Sequence, residues 1–129
     1  MEMKKYRTVF ISDLHLGTRM SQAEKLLDFI KTFDCDKLYL VGDIVDGWAL
    51  KSSFYWPQSH NDVIQKIMRM ARKGTQVILI PGNHDEFLRV FCDHDFGNIK
   101  LVMNDKHVAA DGKIYFVTHG DEFDIVIEQ

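Results

Sequence analysis

Apolar residues recur along this chain in two rhythms. Residues 6–11, 37–41 and 75–80 are short, nearly continuous apolar runs rich in β-branched and aromatic types, the pattern of strands buried on both faces in a parallel sheet. Between them the spacing changes to that of a helix. Ala23, Leu26, Leu27, Ile30 and Phe33 share one face, and Ser21 with Glu24 three residues on forms a capping box ahead of them. Val63, Ile64, Ile67, Met68 and Ala71 mark a second buried helical face, opened by Ser59 with Asp62 and closed by Arg72, Lys73 and Gly74. Strands alternating with helices predict an α/β fold.

The remaining stretches are shorter. Pro81-Gly82 breaks the third run, and Asn83-His84-Asp85 opens a short helix reaching Arg89 and Val90. Residues 99–103 form a brief strand, and residues 107–110 with 113–118 read as a hairpin around Asp111-Gly112 in a type I′ turn. Residues 47–58 read as an irregular, aromatic loop beside the strand ends. Its Trp48, Phe54, Tyr55 and Trp56 suit either a groove wall or packing under the loop.

With 129 residues and no repeat, linker or low-complexity stretch, the chain reads as one domain, 1–129, able to bury roughly 65–70% of its unfolded surface. Sixteen Lys+Arg against nineteen Asp+Glu leave a net charge of -3 with no like-charge run, so no nucleic-acid partner is expected. Cys35 and Cys92 stand apart and match no metal knuckle or disulfide framework, which suits a reducing compartment. The first apolar run stops at Asp13, too soon for a signal peptide or a membrane span. The expectation is a cytoplasmic protein touching a membrane only peripherally.

Polar residues gather where the apolar runs end. Asp13 and His15 follow the first run, Gly42-Asp43-Ile44-Val45-Asp46 the second, Asn83 and His84 the third, and His119 the fourth. Strand ends converge at one edge of an open α/β sheet, so these residues are expected to meet, with Asp43 bridging two metal ions. Carboxylate and amide oxygens mixed with imidazoles suit Mn²⁺ first, then Fe or Zn²⁺, better than Ca²⁺ or structural zinc. Two such ions would favour in-line displacement at phosphorus. Taken singly, Asp13 and Asp43 read as cap or turn residues; for His84 a helix cap is the lesser alternative to a chemical role. His60, His94 and His107 match no motif and read as surface or satisfied histidines; Met68 and Met70 read as core filler.

Asp13-Leu14-His15, Gly42-Asp43-Ile44-Val45-Asp46, Gly82-Asn83-His84-Asp85 and His119-Gly120-Asp121 together resemble, in order and spacing, the successive motifs of the calcineurin-like metallophosphoesterases. The phrasing of residues 12–17 and 119–124 looks most like the UDP-2,3-diacylglucosamine pyrophosphatase branch. The resemblance implies an αββα sandwich and metal-dependent hydrolysis of phosphoester or pyrophosphate bonds in a phosphorylated small molecule or nucleotide sugar. It also implies that Asp13 and His15 hold one metal, that Asp43 bridges, and that Asn83 and His119 hold the other. His84, oriented by Asp46, would face the phosphate.

Two departures bear on these expectations. The pyrophosphatase branch often has arginine where this chain has His84. A downstream GHxH motif that supplies two further ligands in the family is absent, since no histidine follows His119. The expectation is therefore a domain short of its C-terminal part, whose uncovered sheet surface and apolar Phe123, Ile125, Val126 and Ile127 favour a homo-oligomer. The alternatives are a non-catalytic fragment that self-associates, and a general phosphodiesterase or protein phosphatase.

Overall fold

The computed structural model describes residues 3–119. Its main sheet has five strands in the order β1-β2-β3-β5-β4. Strands β1 (Lys4–Ile11), β2 (Phe33–Val41), β3 (Gln76–Ile80) and β5 (Ile99–Leu101) run parallel, and β4 (His94–Phe96) pairs antiparallel with β5. One register row runs Val9, Leu38, Val77, Ile99 and the next Phe10, Tyr39, Ile78, Lys100. Because side chains alternate across a strand, these rows face opposite sides of the sheet.

The first row meets the helices. Helices α1 (Ala23–Ile30) and α3 (Gln58–Arg72) cover that face and enclose Ile30, Phe33, Leu38, Leu40, Val63, Ile67 and Val77 in the larger core cluster. Burying each such side chain stabilises the fold by about 1.5–3 kcal/mol. The second row meets a two-stranded hairpin, β6 (Asp105–Val108) and β7 (Ile114–Val117). Between sheet and hairpin lie Tyr39, Ile78, Ile80, Val102 and Val117. Phe10 stacks on Tyr39 at 4.8 Å, and the buried His107 sits edge-on to both rings at 5.5 Å. The Tyr39 hydroxyl donates to Asp105 Oδ2 at 2.6 Å, which ties hairpin to sheet. A helix layer, a mainly parallel sheet and a further β layer are thus stacked as the sequence predicts.

Several local expectations fail for physical reasons. Strand β2 begins at Phe33, because Phe33 and Cys35 point inward while Asp34 and Asp36 point out, an alternation hidden by its polar half. Neither predicted cap forms. Helix α1 starts after Gln22 and leaves the Ser21 hydroxyl buried without a partner, and α3 starts after Pro57, whose preset φ of -69° suits a helix entry. Residues 47–52 are not irregular but form a short helix, α2 (Gly47–Ser52), capped by the Asp46 side chain on Ala49 N–H. Met68 is 56% exposed, because the buried face of α3 runs through His60, Val63, Ile67, Met70 and Ala71 and leaves position 68 outside it; Met70 fills the core as expected.

The hairpin turn is not type I′. Ala109 N–H bonds Lys113 O and Gly112 N–H bonds Ala109 O, a three-residue loop in which only Gly112 has positive φ, at 86°. A 3₁₀ helix, Glu86–Phe91, stands where the short helix was expected. No helix among the described residues is long and apolar enough to cross a membrane. The apolar tail 123–127 lies outside the described residues.

Candidate active site

The loops after β1 and β2 run side by side. Asp13 N–H bonds Gly42 O, His15 N–H bonds Asp43 O, Leu16 N–H bonds Ile44 O and Asp46 N–H bonds Leu16 O, at 2.8–3.0 Å. Parallel pairing therefore continues past the strands and brings both polar segments to one edge. Asp13, His15 and Asp43 have φ of 56°, 47° and 54°, in the left-handed region that Asp and His occupy more readily than most side chains. Such backbone costs of order 1–3 kcal/mol per residue and persists where surrounding bonds fix it. Gly42, at φ 72°, faces the His119 ring so closely that any side chain there would overlap it. Gly82 is equally confined: a Cβ on it would stand 2.6 Å from Asp43 Oδ1 and 2.9 Å from His119 Nδ1.

These approaches gather the predicted donors. His15 Nε2 lies 3.8 Å from Asp13 Oδ1 and 4.0 Å from Asp43 Oδ2, and His119 Nε2 lies 3.5 Å from each of the same oxygens. Those separations are too long for good hydrogen bonds. They fit donors that share an ion, since ligands each about 2.0–2.2 Å from one centre stand roughly 3–4 Å apart. Asp13, His15 and Asp43 thus form a group able to hold a cation, and a borderline divalent ion suits their mixed chemistry. Asn83, half-buried, follows Gly82 directly, and its carbonyl accepts from Glu86 N–H.

Asp46 organises the other side. Its Oδ2 is 3.0 Å from both His15 Nδ1 and His84 Nδ1, and its Oδ1 caps α2. Burial pushes its carboxyl up, but the bonds from Ala49 N–H, His15 and His84 outweigh that and hold it below 3.8. An ionised carboxylate only accepts, so both imidazoles turn an Nδ1–H toward it, which leaves Nε2 as the ring nitrogen that could ligate. For His15 that nitrogen faces Asp13 and Asp43. His84 packs edge-on to His15 at 5.0 Å and under the Trp48 ring at 4.1 Å, so the first aromatic of residues 47–58 is a wall of the site.

Two residues have positioning roles that the sequence did not indicate, although His60 is a satisfied histidine as expected. Asp85 is fully buried, with Oδ1 accepting from Gly82 N–H at 2.6 Å and Asp43 N–H at 3.2 Å, and Oδ2 accepting from Ile44 N–H at 2.8 Å. Its place three residues after Gly82, in a turn rich in Asx residues, was the available signal. His60 is buried and its Nδ1 accepts Gly17 N–H at 2.9 Å, anchoring the far end of the Asp13–His15 loop; burial lowers its pKa. No pattern in the sequence pointed to it.

Residues 6–128 match the family described as calcineurin-like phosphoesterase. Among curated proteins, the chain is 30% identical over 118 residues to a UDP-2,3-diacylglucosamine hydrolase of Xanthomonas campestris pv. campestris, covering 88% of this chain and 46% of that protein. It is 29% identical over 118 residues to the corresponding hydrolase of Azotobacter vinelandii, covering 88% and 47%. A DNA polymerase II small subunit of Methanothermobacter thermautotrophicus matches at 25% over 152 residues, covering 92% of this chain and 31% of that protein. Among solved structures, the Pseudomonas putida nuclease MPE aligns with a TM-score of 0.45 at 23% identity, covering 74% of this chain and 47% of the nuclease. The chain spans about half the length of the hydrolases it matches.

Proposed function

The chain belongs to the calcineurin-like phosphoesterase family, and from that premise we propose that it serves metal-dependent hydrolysis of a phosphoester or pyrophosphate bond at a dinuclear centre. The observation that carries this is the convergence of Asp13, His15, Asp43 and His119 donors at 3.5–4.0 Å. Asp13 and His15 would hold one ion, Asn83 and His119 the other, and Asp43 would bridge them, with Mn²⁺ the first choice of metal. When bound, such a pair supplies Lewis acidity and a nucleophilic water near neutral pH. His84, with its proton on Nδ1 held by Asp46, would present Nε2 to the phosphoryl group and hold or pass a proton there.

The substrate reading is a pyrophosphate-linked nucleotide sugar carrying acyl groups, as in the names of the relatives. A groove of about 700 Å³ supports it, running from Asp13, His15 and Asp46 along α1 past Leu14, Met20, Leu26 and Phe29. Its apolar lining beside charged donors would take the apolar part of such a substrate, and the substrate would place the protein in the cytoplasm, at most peripherally on a membrane. Elemental analysis tests the site: the purified chain is expected to take up Mn²⁺, and Asp43→Ala to reduce both positions together. Stoichiometric metal left untouched by Asp43→Ala would sink the bridging role.

A second reading, self-association, is favoured by a groove of about 660 Å³ between the β1 edge and the hairpin, beside exposed Phe10, Ile114 and Tyr115. Sedimentation at micromolar concentration should show a homo-oligomer; a well-behaved monomer refutes it.

A further inference from the structure

The loop that carries Asp43 and the turn that carries Asn83 and His84 come from different strands, yet their bonds cross. Asp85 accepts the N–H groups of Asp43 and Ile44, while Asp43 Oδ1 accepts His84 N–H at 2.8 Å. Each segment's carboxylate thus holds the other segment's backbone. Asp85 also accepts Gly82 N–H in its own turn, so a single buried side chain is bonded to both segments.

We propose that Asp85 is a positioning residue for the metal centre, clamping the 42–44 loop against the 82–85 turn so that Asp43 presents Oδ2 to both halves of the site. The inference rests on the metal reading above. With Asp43 Oδ1 engaged by His84 N–H, Oδ2 is the oxygen that faces His15 Nε2 and His119 Nε2. Loosening the clamp frees the Asp43 carboxylate to rotate and lets the Asn83 turn drift from the His15 side. The effect therefore falls on ions shared between the two segments more than on the fold as a whole. Outer-shell partners of this kind are worth roughly 10–100-fold in metal affinity.

Asp85→Asn is the discriminating variant, because it keeps the volume of a fully buried side chain while turning one acceptor into a donor. The Asn oxygen can still take Gly82 and Asp43 N–H, but its NH₂ then faces Ile44 N–H, donor against donor. Thr75→Ala is the control. It removes a buried bond from Thr75 Oγ1 to Cys35 O near the opposite end of β3, so it weakens the fold without touching either loop.

Two readouts are taken on each protein: Mn²⁺ affinity by titration calorimetry, and amide hydrogen exchange without metal. The expected result is at least a roughly tenfold loss of Mn²⁺ affinity in Asp85→Asn, with lost protection at Asp43, Ile44 and also His84, whose bond the substitution does not touch. Thr75→Ala should leave Mn²⁺ affinity unchanged and lower protection evenly across the sheet, with no loss confined to Asp43, Ile44 and His84. A His84 amide as protected in Asp85→Asn as in the parent overturns the clamp. A parent chain that takes up no Mn²⁺ overturns the proposed function instead, and the His84 amide still decides whether Asp85 joins the two segments.

Discussion

Replacing Asp46 by Asn separates a tautomer effect from a folding effect. In the parent, one acceptor oxygen fixes protons on the Nδ1 atoms of His15 and His84, both at 3.0 Å. Asn keeps an oxygen for the α2 cap at Ala49 N–H and offers two amide hydrogens where Oδ2 stood. Both imidazoles can accept those hydrogens, but only by moving their own protons to Nε2. Every bond keeps a partner but becomes neutral where it was charge-assisted, so stability should fall by only about 1–2 kcal/mol, short of the loss expected if the bonds were left unmade. The His15 atom facing Asp13 and Asp43 now carries a proton and cannot ligate. Mn²⁺ affinity should fall roughly 10–100-fold, the scale of partners that fix a ligand's tautomer. Titration calorimetry gives the affinity, urea unfolding the stability, and ¹⁵N chemical shifts of the histidines the tautomer. Mn²⁺ binding as tight in Asp46→Asn as in the parent, with the tautomers inverted, would refute the assignment of His15 Nε2 as ligand.

Two other outcomes are expected. His60 is buried with its pKa lowered below 6.5, so the folded chain binds fewer protons than the unfolded one as pH drops through 6.5, and stability held above that pH is lost below it. His60→Phe should remove this share of the slope between pH 7.5 and 5.5 in urea unfolding, while costing about 1–3 kcal/mol at neutral pH for the unpaired Gly17 N–H; a slope equal to the parent's counts against it. Gly42→Ala should lose about 1–2 kcal/mol from the left-handed backbone alone. It should also displace the His119 ring, seen as a shifted His119 resonance, and an unmoved resonance would contradict the close approach.

The sheet was legible because its middle is apolar on both faces. Residues 37–41 and 75–80 needed no pattern beyond continuity, and they carried Asp43 and Asn83 to the same edge as Asp13. Legibility ended where tertiary contacts choose the local structure. Ser21 and Ser59 have the right spacing for caps, but the Ser21 hydroxyl makes no cap bond and the preset backbone of Pro57 opens α3 ahead of Ser59. Trp48 looks like any loop aromatic until α2 lays it over His84. Asp85 and His60 act through backbone N–H groups, which leave no trace in side-chain chemistry.

The left-handed backbone at Asp13, His15 and Asp43 narrows what drift can do at this edge of the sheet. Few side chains both donate to a cation and tolerate that conformation; aspartate, asparagine and histidine nearly exhaust them. Glutamate at position 13 or 43 would keep the charge but reach too far on a backbone it resists, and glycine would relax the backbone but bring no donor. Each position answers to two unrelated demands with one residue. A deep mutational scan would therefore find these three positions less permissive than the apolar core, where a change of shape at one residue can be absorbed by its neighbours.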